Sequence, residues 1–185
     1  MELSFLYSIP RTAFLDSFFL FITKITGSYG QLWVAVGIVL LIFKKTRKTG
    51  AAVLVSYIGA MVLGELILKH LFMRVRPCQV DQAFTMLIKR PTSSSFPSTH
   101  SALAFAAATA IFADFRKAGV AAYIAAAVIA FSRLYLFAHF PTDVLCGMLL
   151  GILVGLAAVK CCKLAAKKIE TRGRKTDEAA SGPVE

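Results

Sequence analysis

The sequence predicts an all-α polytopic membrane protein, a bundle of six transmembrane helices. Three observations carry this expectation. The chain of 185 residues is 57% hydrophobic with a mean hydropathy of +0.70, too apolar for an ordinary soluble domain. Its apolar residues come in long uninterrupted runs and not in the stripes of amphipathic core helices. Its basic residues collect on alternate connections between those runs.

A span needs roughly 20 apolar residues, somewhat fewer where polar ends sit among headgroups. Taken in order, residues 14–26 form the least apolar run, because it carries Asp16 and Lys24. Residues 32–43 are short and extend through flanking glycine and tyrosine, and residues 51–68 reach span length outright. Residues 101–113 are again short, lengthened by flanking serine and threonine, while 118–138 and 144–162 are full-length runs. Most connections are short; the exception is the loop over residues 74–96, which holds Pro77, Pro91 and three consecutive serines, Ser93, Ser94 and Ser95. Long loops in compact folds are usually functional or disordered. Residues 1–165 thus make one membrane domain, and residues 166–185, polar and charged, a disordered basic cytoplasmic tail.

Net charge is +11, and its distribution sets the topology. Lys44, Lys45, Arg47 and Lys48 follow the second run, Arg116 and Lys117 the fourth, and Lys160, Lys163, Lys167, Lys168, Arg172, Arg174 and Lys175 the sixth. With six alternating helices these clusters share one side, which the positive-inside rule makes cytoplasmic, together with both termini. Topogenic and anionic-lipid contacts account for the basic tail, so nucleic acid is not an expected partner. Cys146 falls within a run, Cys161 and Cys162 at the cytoplasmic rim and Cys78 alone outside, which is no disulfide framework. The N-terminus lacks the basic-then-apolar pattern of a cleavable signal.

On this topology a set of ionisable residues gathers at the outer boundary. Lys69 and Arg76 end the third run, His100 begins the fourth, and Arg133, His139 and Asp143 flank the turn from fifth to sixth. Snorkelling explains an isolated lysine or arginine. It does not explain two histidines, an aspartate and three cations converging from three segments. Lys69 and Arg76 are seven apart and share a helical face if the helix persists between them. Pro77 stops the helix at Arg76, and Pro97 opens the next, which puts Ser98, Thr99 and His100 at an N-terminus suited to anions. Pro141 repeats the device, with His139 before the helix and Asp143 in its first turn. Glu65, four residues before Lys69, reads as its orienting ion-pair partner. His70 reads as structural, Arg74, Lys89 and Arg90 as solvated loop charge or headgroup attraction, and Trp33 and Tyr135 as interfacial or core aromatics.

Lys69, Arg76 and Pro77, then Pro97, Ser98, Thr99 and His100, then Ser132, Arg133, His139 and Asp143 together resemble the three-part signature of the type 2 phosphatidic acid phosphatase superfamily. Thr99 departs from the pattern, where the family most often has glycine. The resemblance extends over nearly all residues before the tail, and short chains of this layout resemble bacterial cell-membrane members.

A neutral imidazole is a good nucleophile toward phosphorus. His139 would attack in line, Asp143 would accept the Nδ1–H and hold the tautomer that frees Nε2, and His100 would protonate the leaving oxygen. Lys69, Arg76 and Arg133 would neutralise the phosphoryl oxygens, with Ser98, Thr99 and helix amides adding donors. The resemblance implies the same assignment. No metal or other cofactor is expected, since three fixed cations take the electrostatic role of a metal ion. The expected activity is hydrolysis of a lipid phosphomonoester or diphosphate: polyprenyl diphosphate, phosphatidate or phosphatidylglycerophosphate. A phosphotransferase using the same phosphohistidine is the nearest alternative. A transporter fits less well, because its polar site belongs near the bilayer midplane. The sequence leaves the oligomeric state open.

Overall fold

The computed structural model describes residues 1–180, with side chains as far as Arg172. Every regular element among the described residues is helical: α1 (Glu2–Tyr7), α2 (Ala13–Thr26), α3 (Gln31–Ile42), α4 (Arg47–Ala60), a π-helical continuation (Met61–Leu68), α5 (Lys69–Phe72), α6 (Pro77–Val80), α7 (Thr99–Asp114), α8 (Arg116–Tyr135) and α9 (Pro141–Ala180). Three stretches, Arg47–Val80, Arg116–Tyr135 and Pro141–Arg172, are long and apolar enough to cross a membrane. The pair α2 and α3, bent by 52° at their junction, makes a fourth if it counts as one broken span. The six runs expected from the sequence are all helical, but α2, α3 and α7 are shorter than the others.

α7 is the centre of the bundle and packs chiefly on α8, α9 and α4. Its residues Ser101 to Ile111 are all buried, most of them alanine. Small side chains let neighbouring backbones come close, which is how helices associate where lipid supplies no hydrophobic drive. α9 answers with Gly147, Gly151 and Gly155, one turn apart. A Cβ on Gly147 would fall 2.5 Å from the Ser98 carbonyl oxygen, and one on Gly151 would fall 2.3 Å from that of Ala102. On the other face of α9, Leu145, Leu149, Leu153 and Leu156 are exposed, as a lipid-facing row should be. This glycine seam brings the start of α9 against the start of α7, and Ser98 N donates to Asp143 O at 3.0 Å.

Two expectations are corrected at helix ends. The third run does not stay helical to Arg76: it ends at Phe72, where Met73 turns left-handed at φ 41°. Arg76 then caps the separate short helix α6, with Pro77 in its first turn. The tail expected to be disordered from residue 166 continues α9 as far as Ala180, consistent with its alanine, lysine and glutamate content. Residues 181–185 lie outside the described residues.

One of the two charges that weaken the first run has structural work. Asp16 accepts from Tyr135 Oη at 2.6 Å, so α2 is tied to the end of α8. Trp33 and Tyr135 both lie in the protein core. Cys78, expected to be accessible in the outer loop, is fully buried.

Candidate active site

The turn from α8 to α9 carries His139, and backbone bonds fix it. Ala138 N and His139 N both donate to the Arg133 carbonyl, at 3.1 and 3.3 Å. Phe137, left-handed at φ 58°, stacks on Phe84 of the long loop with centroids 3.9 Å apart. His139 is thereby held at the wall of a cavity of about 560 Å³ that Glu65, Lys69, Arg76, Thr99, His100 and Arg133 also line.

His139 Nδ1 lies 2.7 Å from the Ser95 carbonyl oxygen. A carbonyl only accepts, so Nδ1 carries the hydrogen and Nε2 of the neutral ring keeps its lone pair. Nε2 lies 3.1 Å from Nη1 of Arg76. Burial pushes His139 down to about 4, against the opposing pull of Asp143. Near pH 7 the ring is therefore neutral, as a nucleophile must be.

Asp143 does not make the bond the sequence assigned to it. Its Oδ2 is 3.8 Å from His139 Nδ1. It accepts instead from Ser95 Oγ at 2.5 Å and Phe140 N at 2.8 Å, while Oδ1 takes Arg74 Nη1 at 2.5 Å. The reason is competition: the Ser95 carbonyl reaches the imidazole first. Asp143 thus orients His139 through Ser95 and the turn.

The three cations converge as expected. Arg76 is clamped by Ser93 O (2.7 Å), Ser94 O (3.0 Å) and Ala138 O (2.9 Å). Arg133 binds Ser132 Oγ and reaches Thr23 Oγ1 on α2 at 2.5 Å. Lys69, 7% exposed, pairs with Glu65 at 2.7 Å, the orienting contact the i, i+4 spacing foretold. His100 bonds the Gly27 carbonyl through Nε2 at 3.1 Å, leaving Nδ1 as the nitrogen available to a substrate. Thr99 lines the cavity and turns its hydroxyl onto Glu65 at 2.6 Å. Ser98 stands off: fully buried, it receives Ser101 Oγ at 3.0 Å and is absent from the cavity wall.

Sequence reasoning missed two sets of residues. Ser93, Ser94 and Ser95, read as loop composition, supply the oxygens that hold Arg76 and His139. Their position just before the Pro97 motif was the available signal. Arg74, read as loop charge, bridges Asp143, Thr142 Oγ1 (2.6 Å) and Glu2 Oε2 (2.5 Å), and covers the Phe140 ring at 4.5 Å. Glu2 in turn accepts from Thr142 N at 3.0 Å, strapping α1 onto the turn. Arg90 donates to the carbonyls of Cys78, Gln82 and Phe84, and it lines the cavity together with exposed Lys89.

Apolar helices around a pocket of two histidines and three fixed cations define a membrane enzyme built to receive phosphate. The chain belongs to the PAP2 superfamily, whose family model matches residues 49–166, the stretch that contains all three motifs. It is a hydrolase, a membrane lipid phosphatase of PAP2 type. An undecaprenyl-diphosphatase of Sulfolobus acidocaldarius is 32% identical over 161 residues, which cover 86% of this chain and 77% of the relative. The crystal structure of Aquifex aeolicus LpxE superposes with a TM-score of 0.68 at 28% identity, covering 81% of this chain and 88% of that one. A transmembrane PAP2 type phosphatidylglycerolphosphate phosphatase from Bacillus subtilis gives 0.64 at 27% identity, covering 86% and 80%.

Proposed function

We propose that this protein hydrolyses a polyprenyl diphosphate such as undecaprenyl diphosphate to the monophosphate, through a phosphohistidine on His139. The observation that carries the reading is the neutral imidazole at the cavity wall, whose unprotonated Nε2 accepts from Arg76 Nη1, a cation that a bound phosphoryl group would draw off. The named activity of the Sulfolobus acidocaldarius relative supports the substrate class.

In the first step His139 Nε2 attacks the terminal phosphorus as the bond to the bridging oxygen breaks. His100, which enters this step as the imidazolium with Nε2–H on the Gly27 carbonyl, passes its Nδ1 proton to the bridging oxygen as the polyprenyl phosphate leaves. Arg76, Arg133 and Lys69 take up charge on the equatorial oxygens as it grows. In the second step water, giving its proton back to His100, attacks the phosphohistidine. The N–P bond breaks, and inorganic phosphate departs. Asp143, through Ser95, keeps the hydrogen of His139 on Nδ1. The cycle assigns the negative charge of the transition state to the three cations.

The basic clusters support six transbilayer helices with both termini cytoplasmic and the cavity at the outer face. The short helices α2, α3 and α7 would each complete a crossing with polar ends at the interface or within the bundle.

The test is a lipid panel on the purified protein, with release of inorganic phosphate measured against transfer to an added alcohol. Undecaprenyl diphosphate should be turned over fastest, phosphate should be the product, and His139→Ala should be inactive. Faster release from phosphatidate or phosphatidylglycerophosphate would make this a glycerolipid phosphatase. A phosphorylated acceptor would make it a phosphotransferase.

A further inference from the structure

Glu65 is out of place in a cavity that has to bind an anion. It lies on the π-helical segment Met61–Leu68 and lines the same cavity as Lys69, Arg76, Arg133 and both site histidines. π-Helical turns inside α-helices are rare and occur often at functional sites. A carboxylate here repels phosphate unless something in the site uses its charge.

Its two contacts identify that use. Glu65 Oε2 accepts from Lys69 Nζ at 2.7 Å and from Thr99 Oγ1 at 2.6 Å. The first partner ends the third apolar run, and the second opens α7, so a single oxygen joins two motifs. Lysine is a point charge on a flexible stem. The next contact of its ammonium is Ser93 Oγ, at a distant 3.5 Å. Glu65 is therefore the principal restraint on Lys69, and Thr99 is the restraint on Glu65. Glycine at position 99 would leave that second bond unmade.

We propose that Thr99 and Glu65 are positioning residues that clamp Lys69 and trim the charge of the phosphate cavity. Glu65 offsets one of the positive charges that Lys69, Arg76 and Arg133 bring around the histidines and that Lys89 and Arg90 bring to the loop side of the cavity, so the phosphoryl group binds for attack and the free phosphate product is released. The inference rests on the reading above that this cavity takes the phosphoryl group. Thr99, which departs from the family's usual residue, then acts through Lys69 and leaves the nucleophile untouched.

The experiment uses the full-length protein in detergent micelles, with kcat, KM and inhibition by inorganic phosphate and vanadate measured on undecaprenyl diphosphate. Thr99→Val should lower kcat about tenfold with KM little changed, on the scale of other supporting contacts, and Thr99→Ser should restore it. Glu65→Gln keeps an acceptor but removes the charge, so phosphate and vanadate should inhibit it about tenfold more tightly. The Glu65→Gln/Thr99→Val pair should lose no more than the worse single variant, because both act through one bond. Full additivity, a Thr99→Val enzyme equal to the unsubstituted one, or unchanged phosphate inhibition in Glu65→Gln would each overturn the clamp. Should Thr99→Val fail to fold, as thermal unfolding would show, the phosphate inhibition of Glu65→Gln decides alone. A misread cavity would look different: vanadate would then fail to inhibit the unsubstituted protein.

Discussion

The carbonyl oxygen of Ser95 accepts the Nδ1 hydrogen of His139 at 2.7 Å, and the carboxylate of Asp143 stands behind it at 3.8 Å. A backbone acceptor therefore fixes the tautomer of His139, the proposed nucleophile. The buried carboxylate fixes the backbone, through Ser95 Oγ and Phe140 N. This differs from a triad in which the carboxylate touches the imidazole and losing its charge costs about 10⁴ in kcat.

Asp143→Asn should accordingly lower kcat by only about 10–100-fold, the usual loss when an outer partner of a working group is changed. Ser95→Ala, which keeps the carbonyl but loses the hydroxyl, should fall in the same range. Steady-state kinetics on both variants checks this, and a loss near 10⁴ for Asp143→Asn alone would return the carboxylate to direct contact.

Arg74 is the counter-charge of that buried carboxylate. Removing one member of a buried pair strands the other and costs about 3–5 kcal/mol when both are dry. Arg74 is 31% exposed and Asp143 is not exposed at all, so Arg74→Ala should destabilise by less, about 2–3 kcal/mol. Arg74→Lys should recover little, because one ammonium cannot span Asp143, Thr142 and Glu2 together. Thermal unfolding in detergent reads both, and an unchanged Tm for Arg74→Ala would remove the strap from the fold.

What the sequence made legible follows from what spacing encodes. Arg76, Arg133, His100 and His139 were readable because prolines at 77, 97 and 141 mark the helix starts that bring them together. Glu65 and Lys69 were readable as an i, i+4 pair. The Ser95 carbonyl was not, since every residue carries one and only the folded turn selects which is used. Arg74 and Asp143 are 69 positions apart, and no local period links them. Ser98 failed for a packing reason: the glycine seam of α9 covers the start of α7 and buries it. The continuation past Phe72 failed because Met73 adopts a left-handed backbone that its residue type does not announce.

Topology needs a reporter other than Cys78, which is buried. Gln82 is exposed on the loop over residues 74–96, which the proposed topology puts outside, so a Gln82→Cys variant should react with an impermeant maleimide in intact cells. Labelling only after permeabilisation would invert the orientation.

Charge from three side chains should make divalent metals dispensable. Activity should survive excess chelator, and vanadate, which adopts the five-coordinate geometry of the transition state, should inhibit. Loss with chelator that a divalent cation reverses would assign the phosphoryl charge to a metal.

The pH dependence tests both histidines together. Attack requires neutral His139, whose ordinary value of 6.5 burial pushes down to about 4. The neutral form then dominates at every pH above about 4, so kcat/KM should hold as pH falls through 6.5 and drop only on approaching 4. An acid limb centred near 6.5 would mean that the imidazole is solvated. Leaving-group departure requires a proton on His100, which the charge of the bound phosphoryl group favours, so activity should also fall on the alkaline side and give a bell-shaped profile with coupled limits. A phosphate leaving group needs that proton less than an alkoxide does. His100→Ala should therefore retain more activity on undecaprenyl diphosphate than on phosphatidate and should flatten the alkaline limb for the diphosphate. Equal loss on both lipids, with phosphatidate the faster substrate of the unsubstituted enzyme, would identify a glycerolipid as the natural phosphate ester.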